Sequence, residues 1–142
     1  MTNEKNSRIH AFTDDALGEL DAVGVAAAIA AGTISAREAT EAAIARAEAV
    51  NPALSAIQVP DFERALNLAE HPRPGQFSGV PSFVKDNTEV EGLTTDQGSL
   101  AVKSRAAIAN APFTDQFVSG GFTVLGKSTM PEFGFNATTE YA

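Results

Sequence analysis

The sequence contains no cysteine and only two histidines. Without cysteine the chain has no disulfide, no thiolate nucleophile and no cysteine-bound metal. His10 and His71 have no acidic or histidine partner at the spacing that metal ligands need. We therefore expect no metal site.

Positive charge is also scarce. Ten lysines and arginines face 18 aspartates and glutamates, which gives a net charge of −8 and a pI of about 4.6. No basic stripe appears, so a nucleic-acid partner is not expected. The longest run of small apolar residues, 22–31, is too short to span a membrane, and acidic residues precede it where a signal peptide is basic. These features favour a cytoplasmic protein with no membrane partner.

The remaining composition is that of an ordinary globular protein. The 142 residues are 44% hydrophobic and 20% charged, which suits one domain with a real core. Residues 1–12 are polar, and we expect a loose tail there. Helix and strand patterns alternate along the rest of the chain, which indicates an α/β layered fold.

Local signals place the individual elements. Helices are expected at 22–31 and 35–50, where "SARE" is a capping box and Asn51-Pro52 ends the second helix. The two helices are expected to form a helical hairpin. Further elements are a strand at 54–59, a helix at 61–70 with Asp61 as N-cap, a strand at about 80–87, a short helix around 115–120 and a strand at 122–128. The strands rich in Val, Phe and Leu predict a sheet that is covered on both faces.

Lys85 is the first candidate for chemistry. In "GVPSFVKDNTEV" it shares a strand face with Phe83, whereas Val84 and Asp86 point the other way. A lysine on a half-buried face must snorkel, find a partner or lose its proton. A neutral lysine can deprotonate a serine. The alternative is a lysine paired with Asp86 or another acid at the strand end.

Lys127, at the end of "TVLGK", is nearly as good a candidate from pattern alone. No serine lies in a nucleophile-elbow sequence, and no readable acid pair is present. The glycines form neither a phosphate loop nor a dinucleotide fingerprint, so no cofactor is expected. Local patterns therefore do not decide between a catalytic and a structural role for either lysine.

Two longer segments carry a family resemblance. "GVPSFVKDNTEVEGLTTDQGSLA" and "DQFVSGGFTVLGKSTMPEFGFNATTE" resemble, in order and spacing, the amidase signature family of serine hydrolases, and the resemblance covers roughly residues 20–140. It implies that residues 13–142 are the amino-terminal portion of an amidase domain. This portion would comprise amino-terminal helices and the first strands of a mixed sheet. The implied activity is cofactor-free hydrolysis of the C–N bond of small carboxylic amides.

The resemblance also implies roles for the two lysines. Lys85 corresponds to the base of the family's serine–serine–lysine triad and would act through a bridging serine. Lys127 would be structural, holding carbonyls near the "MPEF" turn. That turn resembles the general amidases more than the subunits that amidate transfer RNA, which usually have an acidic residue at the position of Pro131.

The serines of the triad are not found in these 142 residues. In the family a glycine- and serine-rich stretch after the "TTE" region carries both serines and much of the oxyanion hole, and no such stretch is present here. We therefore expect a chain truncated before the nucleophile region and inactive by itself. The alternatives are one piece of a split amidase and a non-catalytic interaction module or remnant.

Two structural expectations follow from this interpretation. Lys85 should be more buried than an average lysine, with Lys127 near the same end of the sheet. Absent neighbouring strands should leave an exposed sheet edge, which would favour self-association or a complementing polypeptide.

Overall fold

The computed structural model of the chain describes residues 9, 11 and 13–139. The expected loose tail at 1–12 lies almost wholly outside the described residues, as do His10 and Glu140, and the expectation for the tail stays a prediction.

Helices and strands alternate along the described chain, which confirms the α/β class. The elements are α1 Ala22–Ala30, α2 Ala36–Leu54, β1 Ile57–Pro60, α3 Phe62–Ala69, β2 Pro81–Lys85, α4 Pro112–Ser119, β3 Thr123–Ser128 and a 3₁₀ turn, Glu132–Gly134. No helix in this part of the chain combines the length and the apolar character that crossing a membrane requires.

The three strands form one mixed sheet in the order β1-β3-β2. β2 and β3 run parallel and are joined through α4, whereas β1 is antiparallel to β3. Lys85 pairs with Ser128, so the carboxyl ends of β2 and β3 lie side by side. Among the described residues β2 has a strand partner on one side only.

Helices cover both faces of the sheet, as the strand composition predicts. On one face Val84 and Val124 are buried against Phe117 and Val118 of α4. On the other face Leu125 packs with residues of α2 and α3. A third cluster joins α1 and α2 to the entry of β2 through Val25, Ala39 and Val80.

The boundaries of α2 confirm one local prediction and correct another. The capping box is formed, with the Ser35 hydroxyl accepting from the Glu38 amide and the Glu38 carboxylate accepting from the Ser35 amide. The helix does not end at Asn51-Pro52 but continues to Leu54. A proline in the last turn sacrifices few helical hydrogen bonds, and Ser55, with φ of 48°, ends the helix in the left-handed conformation.

The start of α3 differs from the prediction in its cap. Asp61 occupies the N-cap position, but its side chain makes no capping hydrogen bond. Its carboxylate instead accepts from Arg64 Nε. The Arg64 guanidinium therefore takes the place of the backbone amides that normally donate to a capping carboxylate.

A bidentate ion pair ties the segment before α1 to α2. Arg46 donates from Nε and Nη2 to the two carboxylate oxygens of Asp15, each at 2.6 Å, and Nη2 also donates to the Gly18 carbonyl. The same carboxylate accepts from the amides of Leu17 and Gly18. The hydrogen bond from Arg46 holds the pKa of Asp15 below its usual value, against the opposing effect of burial.

Asp15→Asn should lower the free energy of unfolding by about 1–3 kcal/mol at pH 7, since it removes a charge-assisted, half-buried pair. The folded pKa of Asp15 is depressed, so this stabilisation is present above the unfolded pKa near 4 and is lost as pH falls through the folded pKa. Urea unfolding of both proteins at pH 7 and below pH 4 measures the difference. A gap that stayed constant between the two pH values would contradict this account.

Candidate active site

Lys85 is the last residue of β2, and its side chain is exposed. Its neighbours Val84 and Asp86 are buried, with exposed fractions of 2% and 0%. The expectation that Lys85 is more buried than an average lysine is therefore wrong in this structure. Alternation along the strand turns Val84 and Asp86 to the face that α4 covers, and Lys85 to the opposite face at the end of the strand, where its side chain is exposed.

An open groove of about 410 Å³ lies beside Lys85. Aromatic side chains form much of it, including Phe83 from β2 and Phe113 and Phe117 from α4. Phe113 is 58% exposed, and its ring lies 5.9 Å from that of Phe117. An amine at the rim of an apolar groove can reach a group that enters the groove.

Lys85 makes no side-chain hydrogen bond or ion pair with any residue that the structure describes. Ser128 is its strand partner in register, but no hydrogen bond joins the two side chains. Other serines have different partners: Ser99 donates to Glu132 and Ser119 donates to the Gln116 carbonyl. The described residues therefore do not bring a serine into bonding contact with Lys85.

Asp86 does not pair with Lys85, so that alternative is wrong. Asp86 and Lys127 are both completely buried, and Lys127 Nζ lies 2.7 Å from Asp86 Oδ1. The two lysines thus differ sharply although their sequence patterns are alike. One is exposed at the strand end, and the other forms an ion pair in the core.

Lys127 also donates to two groups of the loop that follows Leu93. Its ammonium contacts the Thr94 carbonyl at 2.9 Å and the Thr95 hydroxyl. The second oxygen of Asp86 accepts from the Asp96 amide at 3.1 Å. Lys127 therefore holds a carbonyl, as expected of a structural lysine, but at Thr94 and not at the "MPEF" turn.

An irregularity in β3 aims Lys127 at Asp86. Between the pairs Ser82↔Val124 and Val84↔Lys127, β3 advances three residues while β2 advances two. Such a bulge reverses the normal alternation, so Lys127 shares the face of Val84 and Asp86. Gly126 lies in the bulge with φ of 139°, and a Cβ there would come within 2.2 Å of a β1 carbonyl. Glycine is thus required where the strand is deformed.

The loop held by Lys127 also contacts the "MPEF" turn. Buried Ser99 donates to Glu132 Oε1 at 2.5 Å, and the Phe133 amide donates to the Gln97 carbonyl at 2.9 Å. At Gly98 a Cβ would lie 2.4 Å from the Met130 carbonyl, so only glycine allows this approach. Two segments about 33 residues apart are thereby locked together.

Sequence reasoning missed both the buried pair and the Ser99–Glu132 contact. A signal for the pair was available, because Asp86 lies on the same strand face as Val84 and a buried acid requires a buried cation. No such signal existed for Glu132. Among the residues described here, no group of three or more histidines, cysteines or acids could hold a metal ion, and His71 is exposed.

Comparison with known proteins gives a consistent result. A family model described as Amidase matches residues 38–142. A Mycobacterium leprae (strain TN) protein that carries the amidase name AmiC is 48% identical over 134 residues, which are 94% of this chain and 29% of that protein. An acylamidase of Rhodococcus erythropolis is 35% identical over 137 residues, which cover 91% of this chain and 29% of the relative.

Solved structures match as well. The structure of 6-aminohexanoate cyclic dimer hydrolase complexed with substrate superimposes with a TM-score of 0.79 at 35% identity, covering 85% of this chain and 26% of that one. The chain therefore spans between a quarter and a third of the length of these relatives.

Matched substitutions should separate the two lysines. Lys127→Met leaves Asp86 charged and unpaired in the core, so we expect a loss of about 3–5 kcal/mol in the free energy of unfolding. Lys85→Met removes an exposed charge without a partner, so its effect should stay within about 0.5 kcal/mol. Denaturant unfolding of the two variants measures both values. Equal losses would contradict the assignment of Lys127 as the structural lysine.

Proposed function

This chain belongs to the amidase family, and we propose that it carries the catalytic lysine of a serine amidase. In this proposal Lys85 is the general base. The nucleophilic and bridging serines come from a segment that is not among these 142 residues. The substrate is a small carboxylic amide.

The observation that carries the proposal is the different state of the two lysines. Lys127 Nζ donates to Thr94 and Thr95 and lies 2.7 Å from Asp86 Oδ1, so its amine already contacts three groups in the core. A base needs a free lone pair, so Lys127 is unsuited to the task. Lys85 has a free amine at the rim of a groove, and it lies in the segment matched by the family.

The proposed reaction is acyl transfer in two steps. Lys85 accepts a proton from the bridging serine, which accepts one from the nucleophilic serine. The nucleophile attacks the amide carbonyl, and the C–N bond breaks as the leaving amine takes up the proton that Lys85 holds, relayed through the bridging serine. Water then hydrolyses the acyl-serine and releases the carboxylic acid.

The exposure of Lys85 constrains how the serine-bearing segment packs against this chain. A lysine acts as a base only in its uncharged form, and removal from water favours that form. We propose that the segment that brings the serines also covers the groove between Phe83 and Phe113. The unpaired edge of β2 is suited to receive a strand from the same segment.

The names of the relatives support the substrate class, since an acylamidase and a hydrolase of a cyclic amide dimer are among them. We also propose a cytoplasmic location. The acidic residues before the apolar run at 22–31 support it, because a signal peptide is basic at that position.

Amidase activity should require both the serine-bearing segment and Lys85. When the chain is fused to, or produced with, the serine-bearing segment of an amidase relative, it should hydrolyse simple aliphatic or aryl amides. Lys85→Met should lower kcat by about 10³-fold or more, because members of such a triad act as a unit. Ammonia release from a primary amide measures the rate.

Lys103→Met is the matched control, since Lys103 is also exposed but lies in a separate loop. The 142-residue polypeptide by itself should show no turnover. Full activity of the completed Lys85→Met protein would refute the role of Lys85. A folded but inactive completed wild type would favour a non-catalytic interaction module.

The groove should make the 142-residue polypeptide self-associate and bind a dye for apolar surfaces. Phe113→Glu places a charge in the groove and should reduce both properties by at least about half. Phe135→Glu is the control, because Phe135 is 87% exposed but does not line this groove. Light scattering and dye titration measure the two effects. A monomeric wild type that binds no dye would rule out this docking surface.

A further inference from the structure

The Asp86–Lys127 pair is joined to Lys85 through a short length of backbone. Asp86 directly follows Lys85, and its amide donates to the Ser128 carbonyl at 3.0 Å. Lys127 and Ser128 are in turn the strand partners of Val84 and Lys85. The residues on each side of Lys85 are thus fixed, one by packing and one by charge.

This arrangement determines where the Lys85 side chain points. Successive side chains of a strand point to opposite faces, so a buried Asp86 fixes the face that Lys85 takes, and Lys85 lines the groove together with Phe83, which shares that face. The turn that begins there is closed by the Thr88 amide donating to the Lys85 carbonyl at 3.1 Å. Rotation of this strand end would require Asp86 to leave Lys127 and the Asp96 amide.

The contacts of the pair extend into the neighbouring loop. Lys127 reaches Thr94 and Thr95, and Asp86 reaches the amide of Asp96, so three consecutive loop residues are held against the sheet. Displacing any of these loop residues would leave a buried charged group with fewer partners, which costs free energy.

We propose that Asp86, Lys127 and Thr95 are positioning residues for Lys85. They hold the end of β2 and the 94–96 loop in the single arrangement that presents the Lys85 amine to the groove. This inference rests on the proposed function for its catalytic readout, but its geometric content stands apart from catalysis. The alternative is that the cluster supplies stability only.

Thr95→Val is the test variant, because it deletes one acceptor of Lys127 without leaving a buried charge unpaired. Thr95→Ser restores the hydroxyl. Thr114→Val is the matched control, since Thr114 is completely buried and donates to the Glu89 carbonyl at 2.6 Å but has no bond to the pair. Melting temperatures identify any variant that fails to fold.

Two readouts are measured on the wild type and the three variants. The first is the split between kcat and KM in a completed amidase. Thr95→Val should lower kcat about 10- to 100-fold while KM changes less than about threefold, because a displaced base slows chemistry more than binding. Thr95→Ser should recover most of the loss, and Thr114→Val should leave kcat near that of the wild type.

The second readout needs no activity. Reductive methylation of Lys85, relative to that of exposed Lys103, is quantified by mass spectrometry on the 142-residue chain and on the completed protein. Because Lys85 is already exposed, release of the 94–96 loop should change this ratio, in either direction, by about threefold or more in Thr95→Val, and not in Thr95→Ser or Thr114→Val.

The outcomes separate the two proposals. If Thr95→Val matches Thr114→Val in both readouts, the cluster is stabilising only and the positioning role is wrong. If completed Lys85→Met stays active, the proposed function fails, and the methylation ratio still decides whether the pair holds Lys85. If Lys85→Met is inactive and the ratio is unchanged in Thr95→Val, the proposed function stands and the positioning role is overturned.

Discussion

The buried ion pair between Asp86 and Lys127 is the interaction on which the arrangement of the candidate site depends. Two opposite charges without water are stable only when their remaining donors and acceptors are satisfied. Here Thr94, Thr95 and Asp96 supply those partners. The pair therefore joins the ends of two parallel strands to the 94–96 loop, which Gln58 of β1 also contacts by donating to Asp96.

From that loop the constraint extends to the "MPEF" turn. The segment at 97–99 contacts residues 130–133 through a backbone bond and the Ser99–Glu132 bond. Gln97 and Phe133 both have positive φ, at 52° and 50°, although neither is glycine. Such conformations persist only where the surroundings fix them. Removing a charge from the core should therefore also disturb the contacts between the 97–99 segment and the "MPEF" turn.

The two lysines lie in opposite environments. Lys127 is completely buried, and its amine contacts Asp86, Thr94 and Thr95. Lys85 is exposed beside an aromatic groove and has an amine that no described residue occupies. The relatives are about three to four times as long as this chain, and in the proposed function a further segment covers the groove.

The sequence by itself determined the α/β class, the capping box of α2, the order of the elements and the family motifs around Lys85 and Lys127. These depend on neighbours within a few residues or on fixed spacing, so they can be read along the chain. It also singled out both lysines as unusual.

Only the tertiary structure decided which lysine is buried and which acid pairs with it. The bulge at Gly126 turns Lys127 to the face of Asp86, and the strand pairing brings together residues that lie 41 positions apart. Strict alternation would have placed Lys127 with Leu125 on the opposite face. The pairing of charges depends on the strand register and on the path by which the 94–96 loop comes back to the sheet. Local sequence pattern encodes neither.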